Sequence, residues 1–183
     1  MALAINGTNI SPQKDMFING AAQKELSIDG VQVWKQQKEL LVYNYGSTIV
    51  GWGLGTGNTA GGSFRMNDDN IFLQAVSTSG GTQVLGAGTT STIDLTAYNR
   101  MEWVTTGAAG DYYQALLGVR ANRQFFADKY NIGWLKRSEY IFPQTFTMDI
   151  SDIQGSYYLG FRVIGDYYGS GSVRVYKIRL YNV

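Results

Sequence analysis

The 183-residue chain contains no cysteine, no histidine and only two prolines. Without cysteine it has no disulfide and no thiolate metal site, and without histidine it has no histidine ligand, general base or catalytic triad of that type. Charge is scarce as well, because Asp, Glu, Lys and Arg make up 16% of the residues and the net charge is +1. No long basic block occurs, so nucleic acid is not expected as a partner.

Long apolar runs and catalytic fingerprints are also missing. The longest apolar run, 40–43, is far too short to cross a bilayer, so no membrane insertion is expected. The first ten residues show no signal peptide. The glycine runs 51–57 and 86–88 lack the context of a phosphate loop and are interpreted as flexible loops or bulges. Glu102 and Glu139 could serve acid–base chemistry, but no signature accompanies them, and we expect no catalytic residue and no enzyme.

Glycine and tyrosine are abundant instead, at 23 and 13 residues. Together they favour strands and tight turns. Several segments alternate apolar and polar residues with a period of two. These are 71–75, 101–103, 117–121, 145–150 and 157–163. Many short strands separated by glycine-rich turns predict an all-β chain with a β-sandwich or jelly roll over 39–183. A short helical turn at 112–117 or 123–130 is left open.

The last strand changes phase along its length. Val173 and Val175 share one face, whereas Tyr176, Ile178 and Leu180 share the other. A β-bulge near 175–176 would explain this change, because one extra residue reverses the pattern. The alternative is a strand that is buried on both faces.

The N-terminal segment carries two hairpin signals, Asn-Gly at 19–20 and Asp-Gly at 29–30, each preceded by isoleucine. Two-residue turns at these sites would pair Ile28 with Val31, Leu26 with Val33, and Phe17 with Ala22. All of these side chains then share one face, which predicts a three-stranded meander over 16–35. Because such a meander is too small to be stable alone, residues 1–38 are predicted to form a docking or oligomerisation module. The alternative is that they are an N-terminal extension of the sandwich.

Aromatic and arginine side chains near glycine or aspartate are the candidate ligand-binding residues. Sugar rings stack on aromatic faces, and polar side chains bind their hydroxyl groups. The candidates are Trp52, Tyr112, Tyr113, Arg120, Arg123, Trp134, Tyr167 and Tyr168. The glycines around Trp52 are expected to leave its ring accessible, and Arg120, Arg123 and Arg162 are expected to lie on or near solvent-facing strand positions. Equally, some of these aromatic rings could cap the core.

The run Asn67-Asp68-Asp69-Asn70 offers hard oxygen ligands that could help to hold Ca²⁺. It lacks the spacing of an EF-hand loop, and a polar turn is the favoured interpretation. No other cofactor is expected.

Two parts of the chain resemble bacteriophage structural proteins. Residues 18–20 and 28–35 resemble the short hairpin repeats of phage tail, baseplate and fibre proteins. Residues 93–98, 148–151, 155–161 and 175–178 resemble sandwiches of the carbohydrate-binding-module type in such proteins. Part of each match reflects the general pattern of strands and turns.

The resemblance implies a virion component that is made in a host cytoplasm and released on lysis. The hairpin module would dock to other virion proteins or oligomerise, with a trimer favoured, and the sandwich would bind host-surface polysaccharide as a receptor-binding or adhesion protein. Two alternatives stay open at this point. One is a purely structural virion protein, such as a capsid decoration, head-fibre or tail component, and the other is a glycan-degrading jelly roll.

Overall fold

A computed structural model describes most of the backbone of the chain. The described residues are 3–5, 8–10, 16–18, 21–23, 25–28, 31–35, 38–78, 83–109, 113–120, 123, 131–137, 140–165 and 170–183. Side chains are described for 38–78, 83–106, 123, 144–163 and 170–183. No helix among the described residues is long and apolar enough to span a bilayer.

Every regular element in this part of the chain is a strand. The first six are β1 (Leu3–Ile5), β2 (Thr8–Ile10), β3 (Met16–Ile18), β4 (Ala21–Gln23), β5 (Glu25–Ile28) and β6 (Val31–Lys35). The next seven are β7 (Glu39–Asn44), β8 (Ser47–Thr48), β9 (Trp52–Leu54), β10 (Gly61–Met66), β11 (Ile71–Val76), β12 (Gln83–Thr89) and β13 (Ile93–Asp94). The last six are β14 (Arg100–Ala109), β15 (Tyr113–Arg120), β16 (Asn131–Arg137), β17 (Tyr140–Asp149), β18 (Ser156–Gly165) and β19 (Ser170–Tyr181).

The strands from β7 onwards form two antiparallel sheets. A seven-stranded sheet has the order β10-β11-β19-β14-β17, with β7 also paired to β19 and β8 to β7. A six-stranded sheet has the order β16-β15-β18-β12-β9, with β13 paired to β18. The long strand β19 pairs with β11 through its first half and with β7 through its second half. This arrangement confirms the predicted all-β sandwich.

The core lies between the two sheets and is built from the apolar residues of the alternating segments. Trp103 on the seven-stranded sheet and Phe161 on the six-stranded sheet are both fully buried, and their ring centroids lie 6.3 Å apart in an edge-to-face arrangement. Such pairs stabilise a core beyond the area they bury. Leu73, Met101 and Val163 are buried beside them. The predicted period of two is therefore confirmed over 71–75, 101–103 and 145–150, whereas residues 159–163 of β18 are buried in both phases.

The predicted bulge in β19 is confirmed by its register with β14. Thr105 pairs with Val175 and Val104 pairs with Lys177, so Tyr176 is the extra residue. Ile178 consequently returns to the buried face already occupied by Val175. A single β-bulge thus explains the change of phase.

The glycine runs lie partly in strands, where the sequence-based interpretation had placed loops or bulges: 52–54 form β9 and 86–88 lie in β12, whereas 55–57 form a turn outside the strands. Gly53 pairs with Gly88, Gly88 with Gly160, and Gly160 with Gly118, which places a row of four glycines across β9, β12, β18 and β15. We call these residues the glycine row. Glycine is poor in isolated strands, but it is retained where neighbouring chain approaches a sheet closely, and Gly88 and Gly160 are indeed buried. The helical turn left open at 112–117 is also wrong, because β15 begins at Tyr113.

The N-terminal residues form three separate two-stranded pairs, β1–β2, β3–β4 and β5–β6. The predicted partners Phe17–Ala22 and Ile28–Val31 are observed, but the pairing of Leu26 with Val33 is wrong. Leu26 pairs with Trp34, since the register shifts between Leu26 and Ser27, as at a β-bulge. The middle strand of the predicted meander corresponds to β4 and β5, and residue 24 between them lies outside the described residues, as do the turn residues at 19–20 and 29–30.

Candidate functional site

The predicted binding residues collect on the six-stranded sheet and its connections. Trp52 lies in β9, Tyr113 and Arg120 in β15, and Trp134 in β16, while Arg123 follows β15. Side chains are described only for Trp52 and Arg123 in this set. Tyr112, Tyr167 and Tyr168 lie outside the described residues. Binding by Tyr113, Arg120, Trp134 and these three tyrosines therefore stays a prediction.

Trp52 is not the accessible ring that its flanking glycines led us to expect. It is half-buried, with its ring centroid 6.2 Å from that of Phe161 and 6.4 Å from that of Tyr43. Its Nε1–H donates to Thr48 Oγ1 at 3.1 Å. The glycines beside it leave room for the strand to approach its neighbours, whereas the ring turns inward, so Trp52 completes the edge of the core.

Arg123 is hydrogen-bonded to the chain around β9. Its Nη2–H donates to the carbonyl of Leu54 at 2.8 Å, and its own carbonyl accepts the N–H of Thr56 at 3.1 Å. A Cβ on Gly53 would lie 3.3 Å from Nη2, so the missing side chain of Gly53 makes room for this guanidinium. Arg123 therefore holds the β9 edge.

Arg162 corrects the expectation of a solvent-facing arginine. It lies on the face of β18 turned away from the core, as its phase predicted, but it is only 2% exposed. Its register partner on β12 is Gly86, which is buried as well. This face is thus buried around Arg162 and does not offer an open surface there.

The cluster Asn67–Asn70 is a self-contained turn. The Asn67 N–H donates to the Asn70 carbonyl, and the Asn67 Nδ2–H donates to Asn70 Oδ1, both at 2.9 Å. Asn70 Nδ2–H donates in turn to Asp69 Oδ1. The described side chains include no group of three carboxylates placed to hold a metal ion. These bonds favour the polar-turn interpretation over a Ca²⁺ site.

One half of the outer face of the seven-stranded sheet carries charges that neutralise one another. Glu102 accepts Arg179 Nη2 at 2.6 Å and lies 3.3 Å from Lys177 Nζ, while its side chain is only 12% exposed. Arg179 also lies 3.9 Å from Glu39 and 4.4 Å from the ring centroid of Tyr181. We call these five residues the glutamate cluster. The Glu102 carboxylate is held by the two cations Arg179 and Lys177, which is the geometry of a structural ion pair. Glu139, the other candidate for acid–base chemistry, lies outside the described residues.

Arg100 is neutralised on the same face, because its Nη1 lies 2.7 Å from Asp149 Oδ2. The Ser151 hydroxyl and the Ser151 N–H both donate to the Asp149 carboxylate, and together with Arg100 they lower the pKa of that carboxyl.

In the core between the sheets, burial raises the pKa of the Tyr43 hydroxyl, which accepts the N–H of Gly46 at 3.0 Å.

On the other half of the outer face, the described arginines are not neutralised by carboxylates of the described residues. Arg65 on β10 pairs in register with Phe72 on β11, and Phe72 pairs with Arg174 on β19. Directly opposite residues share a face, so one phenyl ring lies between two arginines. The Arg174 guanidinium lies 5.0 Å from the centroid of the Phe72 ring. Both arginines are exposed, and neither forms an ion pair with a residue of the described chain.

The next register row adds uncharged polar groups. Ser63, Gln74 and Ser172 pair across the same three strands and are half-exposed. We call these three residues, with Arg65, Phe72 and Arg174, the arginine patch. It combines one aromatic ring, two guanidinium groups, one amide and two hydroxyls, which can stack on a flat ligand and hydrogen-bond around its rim.

Sequence reasoning missed the arginine patch. Arg65 and Phe72 are seven residues apart and Arg174 lies about a hundred residues further on, so their proximity depends on which strands pair. The available signal was the polar phase of β10 and β11, in which Ser63, Arg65, Phe72 and Gln74 alternate with buried or inward residues.

No protein-family model and no curated protein matches the chain. Among solved structures it is similar to a variant of a family 29 carbohydrate-binding module in complex with cellulohexaose (TM-score 0.50, 8% identity, 79% of this chain and 91% of that one). It is also similar to the family 11 module of a cellulosomal cellulase of Clostridium thermocellum (TM-score 0.47, 12% identity, 78% and 94%). A third is the carbohydrate recognition domain of Emp47p (TM-score 0.47, 14% identity, 79% and 94%). The chain therefore has the sandwich fold of carbohydrate-binding modules.

Proposed function

We propose that this chain is a non-catalytic saccharide-binding protein whose ligand lies on the arginine patch. The observation that carries the proposal is the row Arg65–Phe72–Arg174, in which two exposed arginines without an ion-pair partner among the described residues flank an aromatic ring on a sheet face. Unused hydrogen-bonding groups around one ring are the composition expected of a site that binds a flat polar ligand. The shared fold with a module solved with cellulohexaose supports this assignment.

The patch suits a sugar chemically. A pyranose presents C–H groups on its face and hydroxyl groups at its edge, so it would displace the Arg174 guanidinium from over the Phe72 ring and stack there while its hydroxyls reach the polar rim. Gln74 both donates and accepts hydrogen bonds, and the hydroxyls of Ser63 and Ser172 do the same. Arg65 and Arg174 add donors on either side. No carboxylate pair is needed for such binding, which is why we propose a binding protein rather than a glycosidase.

The finer proposal follows the phage resemblance of the N-terminal segment. In it the saccharide is a host-surface polysaccharide, the chain is a virion component released on lysis, and residues 1–38 attach it to other virion proteins or assemble it into a trimer. The hairpin-forming pairs β3–β4 and β5–β6 are compatible with a docking module.

A purely structural virion protein is the second candidate, and one surface favours it. Leu41 and Ile49 are 39% and 56% exposed and line a cavity of about 220 Å³ with Asn44, Ser47 and Thr48. Exposed apolar side chains around a concavity are typical of protein–protein contacts. In this candidate the sandwich would pack against another virion protein through the β7–β8 hairpin.

The deciding measurement is binding of the purified chain to bacterial cells and to isolated wall polysaccharides, with Phe72→Ala as the test variant. Saturable binding that free sugar displaces, and that Phe72→Ala weakens about tenfold, is the expected result. Tyr181→Ala is the matched control, since it removes a ring under an arginine on the same sheet but outside the arginine patch. Absence of glycan binding, together with saturable attachment to virion particles, would transfer the assignment to the structural candidate.

A further inference from the structure

The charges on the outer face of the seven-stranded sheet are unevenly distributed. Around Glu102 every described cation has a carboxylate partner, as Arg179 and Lys177 share Glu102 and Arg100 pairs with Asp149. Among the residues that the structure describes, no carboxylate pairs with Arg65 or Arg174, and both arginines are exposed. Because a partnered arginine is neutralised locally, the unpartnered pair is the feature of this face that remains available to an external anion.

The spacing of the two arginines places them on either side of one ligand. They are separated by β11, so their Cα atoms lie two strand spacings apart, about 10 Å. Each guanidinium is planar and presents a fork of donors that matches a carboxylate, sulfate or phosphate group. Phe72 lies between them, and its ring supplies the stacking surface for a sugar ring once the Arg174 guanidinium, which lies over it, turns toward the anionic group.

The acidic residues nearest in sequence do not cancel this charge. Asp68 and Asp69 lie in the turn that joins β10 to β11, and the Asp69 carboxylate accepts Asn70 Nδ2–H. Neither forms an ion pair with Arg65. Asp68 and Asp69 lie at one end of the arginine patch and repel an anion there, so an anionic group is favoured beside the arginines.

We infer that the saccharide bound by the arginine patch is anionic, with a uronate, sulfate or phosphate group held by Arg65 and Arg174 while its ring stacks on Phe72. This inference rests on the proposed function and adds the chemical class of its ligand. The two guanidinium groups define charge selectivity, and the ring with its polar rim defines selectivity for sugars over free anions.

The test compares an acidic polysaccharide, polygalacturonate, with a neutral β-glucan of similar length, using affinity electrophoresis and calorimetry on the full chain. The expected result is at least tenfold tighter binding of polygalacturonate at low salt, with an affinity that falls as NaCl rises. Arg65→Gln and Arg174→Gln should each weaken this binding by about tenfold. Arg65→Lys and Arg174→Lys should recover part of it, since they keep the charge but lose the fork.

Arg100→Gln is the matched control, because it removes the same charge from the same sheet face at a position already neutralised by Asp149. Its affinity should stay within twofold of the parent chain. Equal binding of both polysaccharides, unaffected by the arginine variants, would overturn the anionic ligand and leave saccharide binding in place. Binding of neither polysaccharide, and of no wall glycan, would remove the proposed function as well.

Discussion

A tryptophan flanked by glycines can turn its ring toward solvent or toward the core, and in Trp52 the packing contacts turn it toward the core. Its indole lies against Phe161 and Tyr43, and these rings continue to Trp103, so a chain of four aromatic rings crosses the interior. Gly51, just before β9, makes room for the side chain of Thr90, and Gly53, within β9, makes room for that of Arg123. A role in stability accounts for Trp52 at the residue scale.

We therefore expect Trp52→Ala to lower the free energy of unfolding by about 2–3 kcal/mol, below the full cost of deleting a fully buried aromatic because the ring is half-buried. Trp52→Phe, which keeps ring contacts but loses the bond to Thr48, should cost about 1 kcal/mol. Urea unfolding followed by tryptophan fluorescence and circular dichroism measures both. Unchanged stability with lost glycan binding would instead restore Trp52 as a ligand contact.

At the scale of elements, the β7–β8 hairpin depends on an unusual turn. Tyr45 and Gly46 both have positive φ angles, 43° and 92°, as in the two-residue turns that join antiparallel strands. A Cβ on Gly46 would lie 2.0 Å from the Asp68 carbonyl oxygen, so this turn packs directly on the turn that joins β10 to β11. The position therefore requires glycine both for its φ angle and for space.

Gly46→Ala should therefore destabilise the sandwich by about 3 kcal/mol, since a left-handed backbone conformation and an overlap with backbone both oppose the new methyl group. Gly155→Ala is the matched control, because Gly155 has a φ angle of 102° but nothing within 4 Å of the added Cβ. It should cost only the conformational term, about 1–2 kcal/mol. Equal losses in denaturant unfolding would show that the contact with Asp68 does not constrain the hairpin.

The strands that the sequence predicted well are those in which apolar and polar side chains alternate. The alternation in β11, β14 and β17 follows from one buried face, and the phase change in β19 predicted its bulge. The glycine row escaped because glycine carries no hydrophobic pattern. The arginine patch escaped for a different reason: Arg65, Phe72 and Arg174 become neighbours only through the pairing of β10, β11 and β19, which local sequence does not encode.

For the whole molecule, the described core is contained within the sandwich. Its buried apolar residues run from Val42 to Leu180 and include both sheets. The two ends of this segment are joined, because the Lys38 N–H donates to Asn182 Oδ1 at 2.7 Å and the Asn182 N–H donates to the Lys38 carbonyl at 3.1 Å. We therefore propose that the sandwich, predicted over 39–183, is an independent domain.

We expect the shortened chain 38–183 to fold cooperatively, with a melting temperature within about 4 °C of the full chain, which corresponds to a change of roughly 1 kcal/mol for a domain of this size. Thermal unfolding by circular dichroism measures this. If residues 1–38 form the oligomerisation module, light scattering should give a trimer for the full chain and a monomer for 38–183.

The two readouts separate stability from assembly. A shortened chain that is folded and still oligomeric would place the contact between subunits on the sandwich, where Leu41 and Ile49 are the exposed apolar candidates. A shortened chain that fails to fold would show that the N-terminal pairs stabilise the sandwich, against the division at residue 38. A folded monomer that binds glycan less tightly than the trimer would show that several arginine patches act together on one polysaccharide, because linked sites raise the effective concentration of one another's ligand.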